Sequence, residues 1–300
     1  MAEPPPVLYP ASPDSEAKVS ECAGSQFNVR VGPNYARKGN KSPSDDSMYH
    51  LSSVHMFKAE SCTKHLHMAT RMPLPEPLVP ADSPGLPLPQ LLVVTLVVPE
   101  EGPAMFGGKE DGGPSMNCVM VFQLKEKTAE DAASEAPSPA VALLSRYYGM
   151  SIAIASGGSP TGAEKSEIQK MRACFKLIGQ ASNFSDLGLP AMLAGYNGKP
   201  VIINKTGELH QGKSSSGASY MEMDILVHKW QYIARKGLYS IKEHYCKLDA
   251  EVGFVIQGEA DSELPERMLG AVEINGVDPT LLAKWPSSGD GDGDATGSGT

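Results

Sequence analysis

The sequence lacks any apolar run long enough to cross a bilayer. Its longest, LLVVTLVV at 91–98, falls far short of the ~20 residues a spanning helix needs. A cysteine framework is missing too. Five cysteines (Cys22, Cys62, Cys118, Cys174 and Cys246) are scattered without a CxxC. An odd, dispersed set reads as reduced thiols in a cytosolic protein. The N-terminal stretch MAEPPPVLYPASPDSE has neither a basic start nor an apolar segment, so no secretory signal is expected. The Asn-x-Ser/Thr patterns at Asn40, Asn183 and Asn204 are then chance matches. Positive charge is not in excess: the formal net charge is -9, which argues against a general nucleic-acid binder. No internal repeat is visible.

What is present suits a packed core. Hydrophobic residues make up 41% and charged residues 20% of the chain. The 30 glycines and 25 prolines predict long irregular segments between structured parts. Residues 1–24 are rich in Pro, Ser and Glu and read as a disordered tail. The tail 286–300, PSSGDGDGDATGSGT, has no apolar residue larger than Ala and reads the same way. One domain, 25–285, lies between them.

Within it, FNVRV (27–31), LLVVTLVV (91–98), CVMVFQLK (118–125), RACFKLIGQA (172–181), YMEMDILVH (220–228), EVGFVIQG (251–258) and MLGAVEING (268–276) read as strands. The second and third make a hairpin with a long Gly-rich loop, and 126–137 is a polar linker. AVALLSRYYGM (140–150) is helical, with Pro139 in its first turn. LGLPAMLAGYNGKP (187–200) is a short helix ending near Asn197-Gly198. After Val227, Trp230, Ile233, Ala234, Leu238 and Ile241 recur at helical spacing, which predicts an amphipathic helix of about four turns. LLAKW (281–285) is a last packing segment. The strands do not alternate with helices, so the expected fold class is α+β: a mostly antiparallel curved sheet of about seven strands with a long amphipathic helix near the C-terminus.

GELHQGKS (207–214) fits the phosphate-loop pattern G-x-x-x-x-G-K-[ST]. Such a loop works by opening a helix whose amides hold the phosphates. Here Lys213-Ser214 runs into SSGAS and then a strand. No nucleotide binding at Lys213 is expected. Cys62, His65 and His67 form C-x-x-H-x-H with His55 upstream. A fourth zinc ligand at standard spacing is missing, and no metal site is expected. Glu222 and Asp224 share one strand face while Met221, Met223, Ile225 and Val227 share the other. The acids are read as structural, with cations such as Arg30 as partners. Lys229, Arg235, Lys236, Lys242 and His244 make the predicted helix basic on an acidic chain, which suits an anionic lipid surface.

Several phrases taken together resemble a known family. FNVRVGPNY (Phe27, Val29, Arg30, Tyr35), YMEMD (Tyr220, Glu222, Asp224), ARKG (Ala234 to Gly237), VGFVIQG (Val252 to Gly258) and ELPE (Glu263 to Glu266) stand in the order found in the C-terminal domain of the Enhanced Disease Resistance 2 protein family of plants and protists. The resemblance spans about 25–285. The third acidic position of that family's Glu-x-Asp-x-Asp phrase is Leu226 here. In related proteins this domain often follows a pleckstrin-homology domain and a lipid-transfer START domain, for which this chain has no room. The resemblance implies a non-enzymatic, lipid- or membrane-associated regulatory module of the cytoplasm, peripheral at membranes, and it names no catalytic residue or cofactor. The expected ligand-contacting residues are Met221 and Met223, lining an apolar pocket or forming the core, and Arg235 and Lys236 at a membrane surface. The expected partners are a lipid or anionic membrane surface, or other proteins, but not nucleic acid. The alternatives are a protein-interaction scaffold without a ligand, and a nucleotide- or metal-dependent hydrolase.

Overall fold

A computed structural model describes residues 7–9, 18–104, 109–155, 162, 166, 170–171, 173–189 and 191–285. Among them the strands form a six-stranded sheet, a five-stranded sheet and a small two-stranded one. The large sheet has the order β1 (Val7–Tyr9), β5 (Tyr49–Ala59), β7 (Ser115–Leu124), β6 (Leu91–Pro99), β11 (Ser219–Leu226), β10 (Gly207–Lys213). The smaller has the order β2 (Lys18–Glu21), β13 (Met268–Asn275), β12 (Asp249–Ile256), β8 (Phe175–Ala181), β9 (Pro200–Ile202). The pair β3 (Asn28–Arg30) and β4 (Lys41–Pro43) stands apart. All pairings between strands are antiparallel except β11 on β6.

The two large sheets pack on one another through a shared core. Leu92, Val94, Met120 and Phe122 of one meet Phe175, Phe254, Leu269 and Val272 of the other. Phe122 meets Phe254 edge-on at 6.1 Å, and Phe175 lies against Phe254 at 6.0 Å. A Cβ on Gly270 would fall 2.7 Å from the Phe122 ring, so only glycine lets the sheets come this close. The helix Pro139–Ala155 adds Val141, Leu144 and Tyr147 to the same core.

Thirteen strands among the described residues replace the expected seven or so. The stretch 49–59 was not anticipated as a strand because its alternation breaks at Ser52–Ser53, where the pairing with β7 shifts register. Residues 126–133, expected as linker, form a helix that buries Thr128 and Ala132. The anticipated N-terminal tail contains β1 and β2, and Val19 and Cys22 are buried against the small sheet. The tail 286–300 lies outside the described residues.

The long C-terminal helix is the main correction. It spans nine residues, Tyr232–Ser240, and a 3-10 turn, Lys242–Lys247, follows. The chain is still extended at Trp230 and Gln231, which removes the first expected turn. Its apolar stripe covers one end of the space between the sheets and does not run along a sheet face.

Candidate functional site

That end of the interior is hollow. A cavity of about 310 Å³ lies between β6 and β7 on one side and β8, β12 and β13 on the other. The helices Ala191–Ala194 and Tyr232–Ser240 cover it with Leu193, Ala234 and Leu238. Residue size explains the hollow. On β8 the side chains facing inward run Phe175, Leu177, Gly179, Ala181, and opposite them on β12 run Ile256, Phe254, Val252, Ala250. The pairs shrink from Phe–Ile to Ala–Ala, and the cavity opens where they become small. Gly237 lets the two covering helices touch, since a Cβ there would meet Leu193 at 2.8 Å. On its open side stand Tyr196 and Ile233, 58% and 56% exposed, with Lys199 beside them.

Met221 and Met223 lie in the solid core between the sheets and are not on the cavity wall. The cavity's methionines are Met56, Met116 and Met120. Arg235 lines a second pocket next to the cavity, whereas Lys236 is exposed, with its Nζ 6.0 Å from the Tyr232 ring. Lys229, another of the expected basic residues, is paired with Glu208 at 3.1 Å.

The acid pair lies on the opposite, outer face of the large sheet, beneath the segment 60–90. Met68, Ala69 and Met72 of that segment cover Val93, Val121 and Tyr220. Glu222 and Asp224 are fully buried there. Glu222 accepts hydrogen bonds from the amides of Met68 (2.6 Å) and Ala69, and Asp224 accepts one from the amide of His67 (2.9 Å). His67 can point its amide inward because its backbone is left-handed, φ 54°. Its ring stacks on His210 at 4.3 Å and reaches the Tyr220 hydroxyl at 2.9 Å. His210 Nε2 lies 3.2 Å from Asp224, poorly aligned for a hydrogen bond. Burial, and next the charge of Asp224, push Glu222 up to about 8. Burial, and next His210, hold His67 below its ordinary value.

Arg30 is not the partner of this pair. It binds Glu266 at 2.7 Å, and Glu266 also accepts Lys176 Nζ at 2.9 Å and the Gly258 amide at 3.1 Å. Arg30 was the expected partner only because a cation is the commonest neighbour of such acids. Backbone amides, which no residue type announces, do the work instead. The acids have no exposed surface, while the neighbouring His67 and His210 rings are partly exposed.

The other sequence candidates separate in space. Cys62 packs with Val97 and Leu226, His65 with Phe57 and Trp285, and only His67 reaches the acids. Among the described residues, no group of three or more His, Cys, Asp or Glu could hold a metal ion. GELHQGK is strand β10, paired with β11, with no helix after it. Its glycines have packing reasons: a Cβ on Gly207 would strike Ile203 at 2.4 Å, and one on Gly212 the Tyr220 hydroxyl at 2.7 Å.

The family model for the C-terminal domain of Protein ENHANCED DISEASE RESISTANCE 2 matches residues 20–278. The chain belongs to that family. No curated protein and no solved structure matches it. The phrases that carry the likeness to the Enhanced Disease Resistance 2 C-terminal domain fall at four places in the fold. Phe27 and Val29 pack with Val255 and Met268. Arg30 and Glu266 close the ion pair over Gly258. Glu222 and Asp224 hold the segment 60–90. Ala234 and Gly237 cover the cavity. Three of these four places account for fold, and the fourth borders open space.

Proposed function

We propose that this chain is a non-enzymatic module that binds one apolar chain of a lipid in the cavity between its sheets and works at a membrane surface. The observation that carries it is the cavity: apolar side chains bound it, small residues in register on two strands keep it open, and exposed Tyr196 and Ile233 stand at its mouth. Protein interiors are close-packed, and an apolar void of this size is at the low end for small-ligand sites. One chain fits the volume better than two. Among the described residues no helix is long and apolar enough to cross a membrane, so contact would be peripheral. Tyr196 and Ile233 would enter the interface, with Lys199 and Lys236 facing anionic headgroups at about 1 kcal/mol each.

Native mass spectrometry of the purified chain, followed by lipid extraction, tests the ligand. A co-purifying single-chain or released lipid is the expected result. A ligand-free chain that also takes up no lipid from mixed micelles would end the reading. In liposome sedimentation, binding should need anionic lipid and fall as salt rises. Ile233→Asp should weaken it several-fold in a protein that melts normally.

A further inference from the structure

The apolar cavity does not end at the helix. A second cavity of about 250 Å³ adjoins it, and Val98, Met116, Val227, Leu238 and Tyr245 line both. The chemistry changes across that shared wall. The second cavity is lined by Arg235, His228, Lys242 and Lys109 and also by Glu100 and Glu101. The two acids are engaged: Glu101 holds Lys109 at 3.0 Å, and Glu100 stands 3.8 Å from Lys58. Lys242 gives one hydrogen bond, to the Glu100 carbonyl oxygen at 2.7 Å, and has two more protons to offer.

Arg235 is different. Its Nε is buried and has no hydrogen-bond partner among the described residues, and neither ring nitrogen of neighbouring His228 has one. No carboxylate of the described residues forms an ion pair with Arg235. A buried guanidinium N–H left unpaired is costly, and this N–H together with the one N–H of a neutral His228 ring gives two unpaired donors beside one cavity, which point to a missing acceptor. Burial, and next the charges of Lys229 and Arg235, keep His228 below its ordinary value. It is therefore a neutral ring that can donate one N–H. The planar fork of Arg235 suits an oxyanion.

We propose that the two cavities form one site for a single-chain anionic amphiphile: its alkyl chain lies between the sheets, and its oxyanion head, a phosphate monoester or carboxylate, is held by Arg235 with His228 and Lys242. This rests on the lipid reading above and adds the headgroup and the residues that select it.

Calorimetry on the full chain, with dodecyl phosphate, dodecanoate, dodecanol and inorganic phosphate each below any micelle-forming concentration, tests it. Both anionic amphiphiles should bind about tenfold or more tighter than dodecanol, the difference expected of charged hydrogen bonds. Inorganic phosphate alone should bind weakly. Arg235→Gln should erase the preference for the anions and leave dodecanol binding in place, which also shows that the variant is folded. Arg235→Lys should keep part of the preference, and Lys127→Gln, on a distant exposed helix, should keep all of it. Equal affinity for dodecanol and the anions, unchanged by Arg235→Gln, would overturn the headgroup site and leave the apolar cavity standing. Inorganic phosphate binding as tightly as dodecyl phosphate would also overturn it, in favour of a free-anion site. Failure of every amphiphile to bind would overturn this proposal and the lipid reading together.

Discussion

The two ends of the space between the sheets are built from the same strands and packed in opposite ways. At one end Phe122, Phe175, Phe254 and Tyr147 interlock with ring centroids 6.0–6.3 Å apart. At the other, Gly179, Ala181 and Ala250 leave about 310 Å³ open. Large inward pairs, Phe175 with Ile256 and Leu177 with Phe254, give way to small ones, Gly179 with Val252 and Ala181 with Ala250, and this creates a wedge. The filled end holds the sheets together, and the hollow end leaves room for a ligand. Interiors left to packing alone close such voids; under the proposed function the hollow is the ligand end and the aromatic cluster its anchor.

The sharpest way to break this comparison is to open the filled end. Phe254→Ala should cost about 3–5 kcal/mol, seen as a large drop in urea midpoint. Val252→Ala, two residues along the same strand face and already at the cavity wall, should cost well under half as much. Similar losses would mean that the two ends are equally packed in solution.

Next in size is the acid pair, which faces away from both ends. Glu222→Ala removes the acceptor for two amides of the segment 60–90, those of Met68 and Ala69, and should cost about 1–3 kcal/mol. The wild-type carboxyl is raised in the folded state from about 4.5 to about 8. The folded protein therefore binds a proton that the unfolded chain gives up, and stability should fall as pH climbs from about 4.5 through about 8. Glu222→Gln, always neutral and still an acceptor, should flatten that slope in thermal melts taken across the range. Ligand affinity at the hollow end should stay the same in both variants. A change there would show that the outer face and the interior are coupled.

Much of this was legible in the residues, and the misses have physical causes. Strands with regular alternation or unbroken apolar runs, such as Leu91–Pro99 and Ser219–Leu226, stood where expected. The wedge itself was written in FKLIGQA and AEVGFVI, but it shows only once the register pairs Phe175 with Ile256 and Ala181 with Ala250. Register comes from long-range pairing, which no local pattern fixes. Helical spacing after Val227 suggested four turns because periodicity records which side is apolar. It does not record where the backbone stops being helical. The basic residues of that segment looked like one surface, yet Lys229 is spent on Glu208 and Arg235 turns inward.

The smallest change in stability should come with the largest change in binding. Gly179 sits in β8 with its missing side chain aimed at the hollow, and a Cβ there would touch nothing closer than Leu177 at 3.7 Å. Its φ is not in the left-handed range, so the strand accepts a larger residue without backbone strain. Gly179→Phe would place a ring where the opposite end has Phe175 and would convert the hollow end to the filled kind. A strand glycine is the weaker choice for stability by roughly 0.5–1 kcal/mol, and the new ring would bury apolar surface, so the melting temperature should hold or rise slightly. Co-purifying lipid and dodecyl phosphate binding should both disappear. A stable Gly179→Phe that still carries lipid would place the ligand somewhere other than between the sheets. A variant that loses several kcal/mol would mean that the space is already occupied by side chains in solution. In either case the wedge would be a packing detail, and the contrast between the two ends would carry no function.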